Sequence, residues 1–118
     1  MPSGDWKNML KAVENGDFEL VKYHLNNGID INYEHPEVVT TVLIESAKLG
    51  NAEMVRFLIE NGADPYMKAG FGGNNAIEIA YHNNDKGLID LFNEMGLVLK
   101  KESFYNGIGR WLSKLASI

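Results

Sequence analysis

Cysteine is absent from this chain of 118 residues, which excludes disulfide frameworks, thiolate metal sites and cysteine nucleophiles. Long apolar runs are also missing, because no stretch approaches the roughly 18 apolar residues that a membrane-spanning helix needs. The first residues lack the basic start and apolar run of a signal peptide. These absences predict a protein of the reducing cytoplasm, with no membrane segment.

Positive charge is scarce and unevenly placed. The chain carries 11 Lys and Arg against 16 Asp and Glu, for a net charge of -5. Residues 1–96 hold 7 basic and 15 acidic side chains, whereas residues 97–118 hold 4 basic and 1 acidic. An acidic body is a poor partner for nucleic acid, so we expect no nucleic-acid binding. A hydrophobic content of 45% in this length predicts one ordinary globular domain.

Motifs that carry catalysis or hold cofactors are not found. The segment 70–73, Gly-Phe-Gly-Gly, is followed by two asparagines and not by the Lys and hydroxyl of a phosphate-binding loop. The histidines His24, His35 and His82 have no spacing that would converge on a metal, and we expect each to be hydrogen-bonded or solvated. The sequence therefore predicts no enzyme activity, no cofactor and no metal.

A repeat with a period of about 34 residues organises the chain. Gly28, Gly62 and Gly96 are evenly spaced at this period, and each follows an apolar pattern of helical spacing. Gly16, Gly50 and Asn84 each stand the same number of residues before one of these glycines in the sequence. Such residues tolerate the left-handed conformation that ends helices, so each unit should hold two short helices. The predicted first helices are 8–15, 41–49 and 75–83, and the second helices are 18–27, 52–61 and 86–95.

The central unit resembles an ankyrin repeat. From Thr41 it reads T-V-L-I-E-S-A-K-L-G-N, followed by an apolar helix and Gly62-Ala63-Asp64. The family pattern is T-P-L-H-x-A-A-x-x-G-H and then G-A-D, so Val42 and Ile44 replace its Pro and His. The resemblance implies an all-α, ankyrin-type helical repeat solenoid of paired antiparallel helices with projecting β-hairpin loops. We expect a single domain over 1–118, with repeats at about 5–34, 35–68 and 69–101.

The last residues, 102–118, are predicted to form a half-repeat that caps the stack. Their apolar residues Phe104, Ile108, Trp111, Leu112 and Leu115 have the spacing of one helix face. A capping element covers core that the last repeat would otherwise expose. The alternative is a detachable, basic amphipathic element that binds a membrane surface or a partner groove.

The family resemblance also implies a function, because ankyrin loops and the exposed side of the first helices together bind proteins. Phe71 and Tyr105 are the sharpest candidates, since an aromatic ring at a loop tip adds little to a core. The full predicted set of partner-binding residues is Phe71, Tyr105, Leu49, Lys48, Lys68, Asn74, Glu37, Glu34 and His82. Lys11 and Glu45 occupy equivalent positions of neighbouring repeats. Two alternatives are open for them: an ion pair between the repeats, or two side chains that each extend into water.

The predicted surface suits one protein partner. Helices that pack about 8–10 Å apart give three and a half repeats a groove on the order of 35 Å long. A width of about 20 Å would offer roughly 700 Å², close to one side of a standard interface. Two alternatives remain open: a microbial or viral inhibitor that occludes a host or defence enzyme, and a membrane-associated adaptor that uses the basic C-terminal segment. A monomer is expected in preference to a homo-oligomer.

Overall fold

The computed structural model describes residues 2–70 and 72–99 of the chain. Within these ranges the only regular elements are six α-helices, in three consecutive pairs. They are α1 Pro2–Asn15, α2 Phe18–Asn26, α3 Val42–Leu49, α4 Ala52–Glu60, α5 Ala76–His82 and α6 Lys86–Glu94. The all-α repeat fold is therefore confirmed. The predicted cap at 102–118 lies outside the described residues.

The second helix of each pair begins at the same local structure. Asp17, Asn51 and Asp85 are N-caps whose side chains accept hydrogen bonds from backbone N–H groups of the following turn, at 3.1, 3.1 and 3.2 Å. These bonds satisfy backbone donors that a helix start leaves unpaired. Because the three caps are evenly spaced along the chain, the helix starts repeat with the period of the sequence.

The helix ends also follow the predicted positions. Gly16 and Gly50 have φ values of 71° and 73°, and Asn84 has φ 50°. Gly28, Gly62 and Gly96 are left-handed as well, with φ between 75° and 101°. Glycine adopts this conformation at low cost because it has no Cβ, and asparagine tolerates it because its short polar side chain can hydrogen-bond locally. The turns and loops therefore lie where the sequence predicts them.

The first helix is longer than predicted. It starts at Pro2 instead of residue 8, and its additional turn carries Trp6, which is fully buried. Proline is well tolerated in the first turn of a helix, where its missing N–H has no partner to lose. The Trp6 ring packs against Tyr33 and His35, with centroid distances of 6.1 and 5.0 Å. Burial of this indole explains why the helix extends beyond the repeat pattern.

The core lies between the first and second helices of each pair and between neighbouring first helices, with α3 between α1 and α5. Positions that are equivalent in the three repeats supply it: Met9, Leu43 and Ile77 are buried, and so are Ala12, Ser46 and Ala80. The hydroxyl of Ser46 donates to the carbonyl of Leu43 at 2.8 Å, which satisfies this polar group inside the core. Small side chains at the second set let neighbouring helices approach closely.

Polar side chains join the loop of one repeat to the loop of the next. The Asn32 amide donates to the carbonyl of Gly62 at 3.2 Å, and its oxygen accepts from the N–H of Asp64 at 2.7 Å. One repeat later, Tyr66 stands at the equivalent position and its hydroxyl accepts from the N–H of Val98 at 3.3 Å. A side chain at this position therefore fixes the register between successive repeats.

We predict that Asn32→Ala lowers the free energy of unfolding by about 1–2 kcal/mol, because two hydrogen bonds between repeats are lost. Chemical denaturation followed by circular dichroism measures the change. The matched control is Asn26→Ala, an exposed asparagine at the end of α2, which should change stability by no more than about 0.5 kcal/mol. Equal effects of the two substitutions would contradict the proposed role of Asn32.

Candidate partner-binding surface

The loop that leads into α3 is anchored at its base by His35. This side chain is buried, and its Nδ1 accepts a hydrogen bond from the N–H of Glu37 at 3.2 Å. Two backbone bonds close the loop, from Val39 N–H to the His35 carbonyl at 2.7 Å and from His35 N–H to the Thr40 carbonyl at 3.1 Å. The loop is thus a tight turn closed by its own backbone hydrogen bonds.

The expectation that His35 is hydrogen-bonded or solvated is only half right. Its Nε2 is buried and finds no hydrogen-bond partner among the described residues, and the same holds for Nε1 of Trp6. The sequence placed His35 beside a proline in a loop, a position typical of solvent exposure. Instead, the loop folds over the additional turn of α1, so ring packing against Trp6 holds its base.

The anchored loop projects two valines into solvent. Val38 is 57% exposed and Val39 is 41% exposed. Val39 also has φ 48°, a conformation that strongly disfavours a β-branched side chain. Holding it there costs on the order of 1–3 kcal/mol, which the surrounding loop contacts must offset. The sequence-based prediction missed both valines, although two adjacent apolar residues in a polar loop were a usable signal.

A cleft of about 610 Å³ separates this loop from the corresponding loop of the next repeat. Glu34, Val39, Met67, Lys68 and Gly70 line it. The Glu34 carboxylate accepts from the N–H of Gly70 at 2.8 Å and so ties the two loops together. A Cβ on Gly70 would lie 2.6 Å from a methyl carbon of Val39, so the close approach of the loops requires glycine there.

Two residues of the predicted binding set meet in this cleft. Glu34 and Lys68 both line it, as their equivalent positions in successive loops suggested. Glu34 is engaged with Gly70, whereas half-buried Lys68 forms no ion pair within the described residues. The cleft thus combines the side chains of Val39 and Met67 with an ammonium group that has no anionic partner in this part of the chain.

A polar chain connects the loop to the far end of α3. The Thr40 hydroxyl donates to the Glu45 carboxylate at 2.7 Å, and Glu45 pairs with Lys48 at 3.1 Å. Leu49 lies one helical turn after Glu45, hence on the same face of the helix, and is 58% exposed. Of the two alternatives for Lys11 and Glu45, the ion pair is not formed, because Glu45 is engaged by these two nearer partners.

The other predicted binding residues have different positions. Glu37, Asn74 and His82 are exposed, but none of them lines the cleft. Asn74 directly precedes Asn75, the N-cap of α5. Phe71 and Tyr105 lie outside the described residues, so the two aromatic candidates remain predictions.

The architecture is that of a helical repeat protein, in which equivalent helix pairs stack and equivalent loops project beside them. Residues 9–99 match the family model described as ankyrin repeats in three copies, and the chain belongs to the ankyrin repeat family. Ankyrin repeats are generally protein–protein interaction modules. No helix in the described part of the chain is long and apolar enough to cross a membrane.

The chain is similar to parts of several longer proteins. It is 34% identical over 112 residues to the ankyrin repeat and KH domain-containing protein mask-1 of Caenorhabditis elegans. The matched region covers 90% of the chain and 4% of that protein. It is 34% identical over 83 residues to the putative ankyrin repeat protein R664 of Acanthamoeba polyphaga mimivirus, covering 70% of the chain and 48% of that protein.

A third relative shows how far the likeness extends. The human 2-5A-dependent ribonuclease is 32% identical over 60 residues, covering 51% of the chain and 8% of that protein. In all three cases the chain spans less than half of the relative. The similarity therefore concerns the repeats, and the other activities that these names mention belong to those proteins.

We predict that Val39→Gly raises the free energy of unfolding by about 1 kcal/mol, because relief of the left-handed strain exceeds the entropy that glycine adds to the unfolded state. Denaturant titration measures this change in the free energy of unfolding. The control is Val38→Gly, at the neighbouring exposed position without positive φ, which should lower stability by about 0.5–1 kcal/mol. Destabilisation by both substitutions to the same degree would show that Val39 is not strained.

Proposed function

We propose that this chain is a non-enzymatic module that binds one protein partner through its loops and the exposed face of its first helices. The observation that carries the proposal is the pair Val38 and Val39, exposed on a hydrogen-bonded loop although Val39 is strained there. Strained residues persist where the surrounding structure holds them, and they cluster at binding sites. A loop without such a role would gain stability from glycine at this position.

The neighbouring residues give the proposed surface its chemistry. Val38, Val39 and Leu49 offer apolar side chains whose burial against a partner would be favourable. Lys68 lies at the edge of the apolar cleft, where it could pair with a partner's carboxylate. Because the loops are already fixed by the Glu34 contact, little conformational entropy would be lost on binding.

The scope of the proposal follows from size and composition. Three and a half repeats would offer roughly one side of a standard interface, which supports a single partner. We also propose that the module is a monomer. The cysteine-free sequence supports a cytoplasmic location. Relatives occur in animals, a bacterium and two viruses, so they do not favour a viral inhibitor over a cellular adaptor. The membrane-adaptor alternative depends on residues outside the described ranges.

The test is affinity capture from source-cell lysate, followed by calorimetry with the recovered partner. We expect the double variant Val38→Asp with Leu49→Asp to bind at least about tenfold more weakly, the effect of losing about 1.4 kcal/mol. The control is Tyr23→Asp, because Tyr23 is 60% exposed and belongs to α2, which contributes no residue to the proposed surface. It should bind like the parent chain.

A separate variant, Phe71→Ala with Tyr105→Ala, tests the two aromatic candidates. Its binding should also weaken if these rings are anchors, independently of the valine pair. Thermal unfolding of every variant identifies losses that are due to misfolding. Parent-like affinity of the folded Val38 and Leu49 double variant would contradict the proposed surface.

A further inference from the structure

The second helices form two grooves at equivalent places, and only one of them is filled. Between α2 and α4, the ring of Phe18 packs edge-on against Phe57, with a centroid distance of 5.2 Å and an interplanar angle of 75°. Between α4 and α6, the equivalent positions of the next repeat hold Ala52 and Leu91. The large ring of Phe18 thus has no counterpart in the second groove.

A second missing side chain widens this outer groove, the cleft between α4 and α6. Gly87 stands where Glu53 and Glu19 stand in the preceding repeats. It lies inside α6 without positive φ, and a Cβ there would have an ordinary contact at 3.5 Å, so the backbone does not require glycine. Glycine inside a helix is unfavourable. The cleft that results has a volume of about 340 Å³.

The outer groove has an apolar floor and an acidic rim. Ala52, Gly87 and Leu91 form the floor. On the rim, Arg56 pairs with Glu94 at 2.6 Å and lies 4.0 Å from Glu60. The carboxylates of Glu53 and Asp90 form no ion pair within the described residues. The groove therefore suits a segment that is apolar on one side and positively charged on the other.

The chain itself contains a segment with this chemistry. Residues 100–118 carry four basic side chains, Lys100, Lys101, Arg110 and Lys114, and one acidic side chain, Glu102. They also carry the apolar residues Ile108, Trp111, Leu112 and Leu115. The rest of the chain is acidic, so the charges of the two parts are complementary.

The position of this segment in the chain makes the contact possible. It begins immediately after Leu99, a short distance along the chain from Glu94 on the rim of the groove. A helix of the length of α6 is about 13 Å long, at roughly 1.5 Å per residue. Residues 100–118 can extend to about 60 Å, so the chain length does not limit access to any part of the groove.

We propose that residues 100–118 of the same molecule dock in the outer groove. The apolar side chains of the segment contact Ala52, Gly87 and Leu91, and its basic side chains lie near Glu53 and Asp90. This position differs from that of the predicted cap, which would cover the side of α5 and α6 facing away from α4. The proposal is independent of the loop surface, because it concerns the opposite helices of each pair.

Spin labelling tests this proposal directly, since the chain has no cysteine of its own. A single nitroxide is attached through Ser113→Cys, next to Trp111 and Leu112. In the full-length, isotope-labelled chain we expect the amide resonances of Glu53, Arg56 and Asp90 to broaden. The equivalent α2 residues Glu19 and Lys22 should keep their intensity.

A charge-reversal variant, Glu53→Lys with Asp90→Lys, should restore the intensity of the Arg56 resonance. Its matched control is Glu19→Lys, which changes the equivalent position beside the filled groove and should leave the broadening unchanged. Both variants must retain the thermal unfolding midpoint of the parent. A second variant, Ala52→Phe, fills the groove with the ring found at Phe18 and should also abolish the broadening.

Three outcomes would overturn the proposal. Broadening confined to Tyr81 and Lys86 would place the segment at the end of the stack, as the predicted cap. If an isotope-labelled chain without nitroxide is broadened when it is mixed with nitroxide-bearing chains that carry no isotope label, the groove binds the segment of a second copy. Unchanged intensities throughout would show that residues 100–118 do not contact the described helices.

Discussion

The structure depends on the inability of one short helix pair to bury its own apolar side. The five helices that follow α1 are all short, from Phe18–Asn26 to Lys86–Glu94, and none of them would be stable in water alone. Stability therefore comes from contacts between repeats, in which α3 packs between α1 and α5. The small residues Ala12, Ser46 and Ala80 permit this packing only if the repeats keep a common register.

That register is maintained in the loops as well as in the core. Asn32 binds the backbone of the next loop, and Tyr66 repeats the contact one unit later. Glu34 adds a further bond between loops through Gly70. Because these side chains fix the loops, the strained conformation of Val39 can be maintained at the surface. The stacking constraint thus extends outward from the core to the proposed binding residues.

The periodic part of the structure could be predicted from the sequence, and the aperiodic part could not. The glycines at 28, 62 and 96 could be recognised as helix ends in the sequence. Their freedom to adopt positive φ belongs to the residue itself and does not depend on distant contacts. The burial of His35 depends instead on Trp6, which belongs to the preceding repeat and is distant in the sequence. The sequence also could not decide whether Glu45 pairs with Lys11. The loop and helix geometry places Thr40 and Lys48 closer to Glu45, and these two residues bind its carboxylate.

Departures from the repeat are the most informative about function, because the stack itself explains whatever recurs. The rings of Phe18 and Phe57 fill the groove between α2 and α4. Ala52 and Gly87 leave the outer groove open, although the equivalent positions of the preceding repeats hold the larger residues Phe18 and Glu53. At Val39 the departure from the repeat is an added side chain and not a missing one. This side chain is strained, and the protein would be more stable without it. Neither departure is explained by folding, so each points to a contact that the three repeats do not make among themselves.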